Sequence, residues 1–216
     1  MILAIDTSLG TSVALLGDDG AILAEHASAD TRGHAESIGP LLASLFRSTG
    51  GHEAVLHANP PVLLKKEDVG AVVVGMGPGP FTGLRVGIAA ARAFAAGSGV
   101  PVWAVLSHDA VAAAEHAEGR GGPFAVVTDA KRREHYLTRY SGVEDGVPLR
   151  DGDSELVRLD ERPVEIREVR PVAVSAAQLG RVALRRRALG LPTGPDQPQY
   201  LREPDVTPPG APKRVS

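Results

Sequence analysis

The residues best placed to do chemistry are a glycine-rich run and a short acidic turn. The run is Gly75-Met76-Gly77-Pro78-Gly79-Pro80-Phe81-Thr82-Gly83-Leu84-Arg85-Val86-Gly87. Glycines accept positive φ and let backbones approach closely, and a helix N-terminus offers N–H groups that attract anions. A phosphate cradle would use those features. No Lys followed by Ser or Thr closes the run as in a Walker loop, however, and its spacing is not that of a dinucleotide fingerprint. Pro78 and Pro80 also remove two amide donors. The physical reading is a structural loop, with Gly77, Gly79, Phe81 and Thr82 making a tight turn ahead of a closely packed helix.

Asp6-Thr7-Ser8 ends a short apolar run. A carboxylate followed by two hydroxyls there could hold a magnesium-bound phosphate. It could equally be a strand-to-turn junction in which Asp6 takes up local N–H groups. Both readings stand at this level. His26, His34, His52, His57, His108, His116 and His135 form no HExxH motif and no obvious helical metal pair, so no metal site is expected. Ser107-His108-Asp109 contains the residue types of a hydrolytic triad, but neighbours in sequence cannot converge on one reacting atom. No catalytic residue is expected.

These residues need elements to position them. Residues 2–6 form a continuous apolar run closed by turn formers, which reads as a buried strand. Residues 11–16 and 21–27 flank Gly17-Asp18-Asp19-Gly20 and complete a three-stranded meander. Over 34–47, Ile38, Leu41, Leu42, Leu45 and Phe46 have amphipathic-helix spacing. Pro40 within it predicts a kink or a later start. Residues 50–66 lack periodicity and read as a loop or a poorly formed helix. A β-branched strand at 69–75 then leads through the glycine loop into an alanine-rich helix at 83–96. A strand at 100–105, a helix at 109–118 and the punctuation Gly119-Arg120-Gly121-Gly122-Pro123 follow. The pattern of strand, Asp, turn and strand then recurs, at 124–129 and 136–140. Two-lobed folds built by duplication repeat in this way. A helix at 176–189 and an irregular proline-rich stretch from 194 onward complete the reading.

Along the second half of the glycine run, Gly83, Gly87 and Ala91 recur every four residues, a flat stripe that another helix could approach. Arg85 and Arg92 are the only charges of that helix, seven residues apart and nearly on one face. The expectation is burial against its own sheet and against a partner.

The 216 residues are enough to bury roughly 70% of the unfolded surface. With 43% hydrophobic and 23% charged residues the class is globular. The absence of cysteine removes disulfides and thiolate chemistry. The opening apolar run is too short for a signal peptide, and no apolar stretch approaches a membrane span. A cytosolic chain with no membrane contact is the expectation. A net charge of -3 argues against gripping nucleic acid alone. The clusters Lys131-Arg132-Arg133 and Arg185-Arg186-Arg187 are short and read as solvated turns or helix faces.

Ala4-Ile5-Asp6-Thr7-Ser8, the loop from Gly77 to Gly87, Asp129-Ala130-Lys131-Arg132 and Tyr200-Leu201-Arg202 together resemble the TsaB (YeaZ) family of tRNA threonylcarbamoyladenosine biosynthesis. The resemblance implies an α/β, actin-like (ASKHA, RNase H-like) two-lobed fold with a shortened second lobe. It divides the chain into a partner-binding lobe at 1–106, a smaller lobe at 107–200 and an irregular tail at 201–216. It implies a non-catalytic scaffold that pairs with a TsaD-type transferase, admits a TsaE-type ATPase and meets tRNA only through that complex; an exposed apolar helix face would favour homodimers in isolation, with homodimer and monomer both open. Gly83, Arg85, Gly87, Ile88, Ala91, Arg92, Leu41 and Leu45 are the interface residues it points to. The transferase binds its metal through a His-x-x-x-His pair, and the matching positions here are Ser107 and Val111, with His108 one residue out of register. The alternative is an ATP-hydrolysing or phosphotransfer enzyme of the same superfamily, using Asp6, Thr7 and Ser8; otherwise no cofactor is expected. The Gly-x-Gly segment of the family is not found between 159 and 172.

Overall fold

The computed structural model describes residues 1–31, 33–48, 65–158, 166–195 and 197–202. Most of the loop at 50–66, His52 and His57, much of the 159–172 stretch and the tail from 203 onward lie outside the described residues.

Strands β1 (Ile2–Asp6) and β4 (Ala71–Gly75) are buried at every position. That is why both read as continuous apolar runs rather than alternating ones. With β2 (Thr11–Leu16), β3 (Ile22–Ser28) and β5 (Val102–Val105) they form a sheet of order β3-β2-β1-β4-β5. The meander is antiparallel, with Ile2 opposite Leu16, whereas β1, β4 and β5 run parallel.

Period-two alternation gives this sheet two apolar faces. Leu3, Ile5, Val13, Leu15, Val72 and Val74 meet α1 (His34–Ser48) and α2 (Phe81–Ser98). α1 starts at His34 and is one continuous helix with Pro40 inside it, so the later start that Pro40 suggests does not occur. Proline costs a helix interior about 3 kcal/mol. Burying Ile38 and Leu45, each worth about 1.5–3 kcal/mol, offsets that. α2 begins at Phe81, two residues earlier than the periodicity predicts, directly after Pro80.

The opposite face presents Ile2, Ala4, Ala14, Leu16, Ala71 and Val73 to α4 (Ala176–Ala188), which packs in turn on α3 (Ser107–Ala117). Its alanines let α4 lie close, and a Cβ on Gly180 would come within 2.7 Å of Leu16 Cδ1. Beyond these helices lies a second sheet built from β6 (Phe124–Lys131), β7 (Glu134–Glu144), β8 (Val147–Arg150), β9 (Glu155–Arg158) and β10 (Arg167–Val169). Phe124, Val126 and Tyr140 complete the shared core. Position 106 falls between β5 and α3, while α4, from late in the chain, lies on the first sheet. Glu25 on β3 holds it there, accepting from Ser175 Oγ at 2.7 Å and from the Ala177 amide at 3.1 Å.

The sequence repeat has a topological counterpart. β1 pairs antiparallel with β2 and parallel with β4; β6 pairs antiparallel with β7 and parallel with β10. Each closing aspartate makes the same local bond: Asp6 Oδ1 accepts from the Ser8 amide and Asp129 Oδ1 from the Lys131 amide, both at 2.8 Å. Among the described residues no helix is long and apolar enough to cross a membrane.

Candidate functional site

Strand β1 carries Asp6 into the interior, where its oxygens are committed to its own chain. Oδ1 accepts from the Ser8 amide and from Ser8 Oγ at 2.6 Å; Oδ2 accepts from Ser107 Oγ at 2.5 Å. Ser107 in turn accepts from the Gly77 amide at 3.0 Å, and its own amide donates to the Gly77 carbonyl at 2.7 Å. Burial pushes the Asp6 carboxyl above the ordinary carboxylate range, against the bonds from Ser107 and Ser8 that favour its charge. Of the two readings of Asp6-Thr7-Ser8, this geometry matches the turn junction. Ser107, one hundred and one residues away, is the partner that no local pattern could reveal.

The glycine loop closes over this knot. A Cβ on Gly79 would sit 2.9 Å from Ser8 Cα. The amide of Gln199 donates to the Met76 carbonyl at 2.8 Å, and Tyr200 packs on Phe81 with centroids 4.8 Å apart. Arg85 places its guanidinium 3.7 Å from the Phe81 centroid. Arg202 then reaches the Ala130 carbonyl at 2.8 Å, so residues 199–202 span from the first sheet to the second.

Ser107-His108-Asp109 diverges, as expected of adjacent residues. His108 lies between Thr138 Oγ1 at 2.8 Å and Thr128 Oγ1 at 3.0 Å, fully enclosed, and burial lowers its pKa to about 3. Asp109 accepts from the Tyr140 hydroxyl at 2.9 Å. Burial raises its carboxyl, opposed by Arg150 and by Arg186, whose guanidinium lies 3.7 Å from Oδ2.

His108 gives a pH dependence with a definite sign. Its folded pKa is depressed, so the unfolded chain binds more protons below 6.5 and stability falls as pH drops from 6.5 toward 3. From pH 7 to pH 5 this contribution loses about 2 kcal/mol. The raised carboxyls of Asp6 and Asp109 act oppositely above 3.8, so the difference from a variant isolates the histidine. His108→Gln should lose about 2 kcal/mol less than the unmodified chain over that interval in urea unfolding. Equal losses would show that His108 does not titrate as described.

The small-residue stripe requires a correction. Gly83, Gly87 and Ala91 face inward rather than toward a partner. A Cβ on Gly83 would stand 2.7 Å from the Thr7 carbonyl and 2.9 Å from His34 Nε2; one on Gly87 would stand 2.2 Å from Thr7 Oγ1. Thr7 Oγ1 donates to the Gly83 carbonyl at 2.8 Å, and His34 Nδ1 bonds Thr11 Oγ1 at 2.9 Å. The stripe therefore docks α2 on the β1–β2 turn. Ile88 and Leu45 are likewise buried, so neither lies on the surface assigned to them. Arg85 and Arg92 are exposed and Leu41 is half-buried. The outward face of α2 has a small-residue stripe of its own, Ala89, Ala93 and Gly97, beside Arg85. A hollow of about 510 Å³ opens there, lined by Lys66, Glu67, Ala93, Phe94, Gly97 and Ser98. Spacing could have found this second stripe, since it repeats every four residues as the first does.

The family model for "TsaD: tRNA N6-adenosine threonylcarbamoyltransferase" matches residues 21–148. The TsaB protein of Bacillus subtilis, named for tRNA threonylcarbamoyladenosine biosynthesis, is 31% identical over 141 residues, 64% of this chain and 54% of that protein. The chain belongs to this family, on its TsaB (YeaZ) branch. An uncharacterized protein of Mycobacterium tuberculosis is 40% identical over 141 residues, 64% of this chain and 58% of the relative. The matched chain thus spans little more than half the length of these curated relatives. The solved structure of YeaZ from Pseudomonas aeruginosa covers 93% of this chain and 99% of its own, with a TM-score of 0.73 at 23% identity. That likeness identifies the fold as the actin-like one. Within it, Ser107 is bonded to Asp6 and Val111 is buried in the shared core.

Proposed function

We propose that this chain is the non-catalytic scaffold of a cytoplasmic tRNA threonylcarbamoyladenosine machinery. It pairs with a TsaD-type transferase through the outer face of α1 and α2 and thereby admits a TsaE-type ATPase; the same face accounts for homodimers when the partner is absent. What supports this reading is the environment of residues 107 and 111, the positions that the resemblance matches to the transferase's metal-binding histidines. A hydroxyl spent on Asp6 and a buried valine cannot replace two imidazoles, and His108 is locked between Thr128 and Thr138. The competing reading, an ATP-hydrolysing enzyme, would use Asp6. Both oxygens of that carboxylate are already engaged by Ser8 and Ser107, which weighs against it.

The inward stripe explains how α2 is held. The outward stripe supplies what a partner helix needs, close approach over Ala89, Ala93 and Gly97, with Arg85 and Arg92 at its margin. Formation of one joint species on mixing with the transferase subunit tests the reading; two species that persist apart contradict it.

A further inference from the structure

The turn joining β6 to β7 is unusual for its residues. Lys131 and Glu134 are paired, leaving Arg132 and Arg133 as a two-residue hairpin turn. Lys131, Arg132 and Arg133 have φ of 67°, 52° and 64°. Two-residue turns with both central residues at positive φ favour Asn-Gly, because side chains such as arginine are strained there. Such strained conformations are held by the surrounding structure and cluster at functional sites.

The surroundings of this turn suggest what that function is. All three cations are exposed, and Arg133 has no hydrogen-bond or ion-pair partner among the described residues. Lys131 is held by Asp129 at 2.8 Å. Arg202 joins them through the Ala130 carbonyl, with Glu134 3.9 Å away. Two residues before it stands Tyr200, 37% exposed, on Phe81 and beneath Arg85. Lys131, Arg132, Arg133, Arg202 and Arg85 outnumber the acids Asp129 and Glu134. The other basic cluster differs: Arg185 binds the Asp145 carbonyl, Arg186 the Pro192 carbonyl at 2.7 Å, and Arg187 covers Trp103 at 4.3 Å. Those three cations hold the fold together, whereas Arg133 at the β6–β7 tip makes no such bond among the described residues.

We propose that this tip, with Arg202 and the Tyr200–Phe81 pair, is a contact site for single-stranded RNA. The arginines take backbone phosphates and Tyr200 offers a stacking face to a base. The proposal rests on the reading of the chain as part of a tRNA-modifying complex, and it assigns this subunit a direct share of the RNA.

The turn's own strain supplies a clean test. Arg132→Asn with Arg133→Gly installs the preferred turn, so the variant should melt no lower than the unmodified chain. Binding of fluorescent tRNA is followed by anisotropy across a salt series, for the isolated chain and for its mixture with the transferase subunit. Whichever form binds, the variant should bind at least about tenfold more weakly at about 50 mM salt, with the salt slope reduced by about 1.4–1.8. Tyr200→Ala should weaken binding by about tenfold with no change of slope. Unchanged affinity in the turn variant overturns the proposal. So does loss of assembly alongside RNA binding, which would make the tip a protein contact. A wild-type chain that binds RNA in neither form overturns it as well. Failure of the two subunits to assemble, with RNA still bound by the isolated chain, counts against the scaffold reading alone.

Discussion

Gly75→Ala should lower the unfolding free energy by about 4 kcal/mol or more, a large part of the 5–15 kcal/mol that holds a typical domain. The added Cβ would fall 1.8 Å from Asp6 Oδ2 and 2.7 Å from Ser107 Oγ. Asp6 cannot swing away, because Ser8 fixes its other oxygen through two bonds. Relief requires breaking the Ser107 bond, worth about 1.5–3 kcal/mol for a charged acceptor. It also leaves a buried carboxylate short of a partner, a loss of about 1–3 kcal/mol or more. Gly97→Ala on α2 is the control: its Cβ meets nothing within 4 Å, and helix propensity should make it neutral to about 1 kcal/mol stabilising. Denaturant unfolding of both variants decides the matter. A loss below about 1 kcal/mol for Gly75→Ala would mean that the Asp6–Ser107 knot is not as described.

Ala93→Trp should weaken pairing with the transferase subunit by about 100-fold or more while leaving the melting temperature of the isolated chain unchanged. Ala93 is exposed on the outward stripe, so the indole meets solvent in the free chain and a partner in the complex. Gly87→Trp looks equivalent in sequence, four residues from Ala91 in a similar stripe. It should instead destroy the fold, since even its Cβ would overlap Thr7. The contrast is read from affinity and melting together. Normal pairing by a folded Ala93→Trp chain would remove the outer face of α2 from the interface.

These two variants mark how far the sequence could be read. Strands buried on both faces, β1 and β4, and the long helix α2 were legible because composition alone separates them from their flanks. So was the need for small residues at 83, 87 and 91. Which neighbour that smallness serves was not, because a four-residue repeat says only that something approaches closely. In the folded chain it is Thr7 and His34, brought in from the β1–β2 turn and α1. Asp6 illustrates the same limit. Its bond to Ser8 is local and was foreseeable as one of two readings; its bond to Ser107 depends on β5 lying two strands away in the sheet. Strands β8, β9 and β10 escaped detection because they are three or four residues long and partly exposed, too short to show alternation. The repeated strand, Asp, turn and strand was legible twice over, and the matched pairing of β1 and β6 gives it a structural basis.

On the proposed function, this chain acts by assembling with a catalytic partner. The most direct measurement is the molar mass, by light scattering at tens of micromolar, of the full chain mixed with a TsaD-type subunit from the same cell. A single species with the summed mass of both chains, absent when Ala93 is replaced by Trp, is the predicted result. Two species that elute with their separate masses across that range would show that the chain does not act by assembling with that partner.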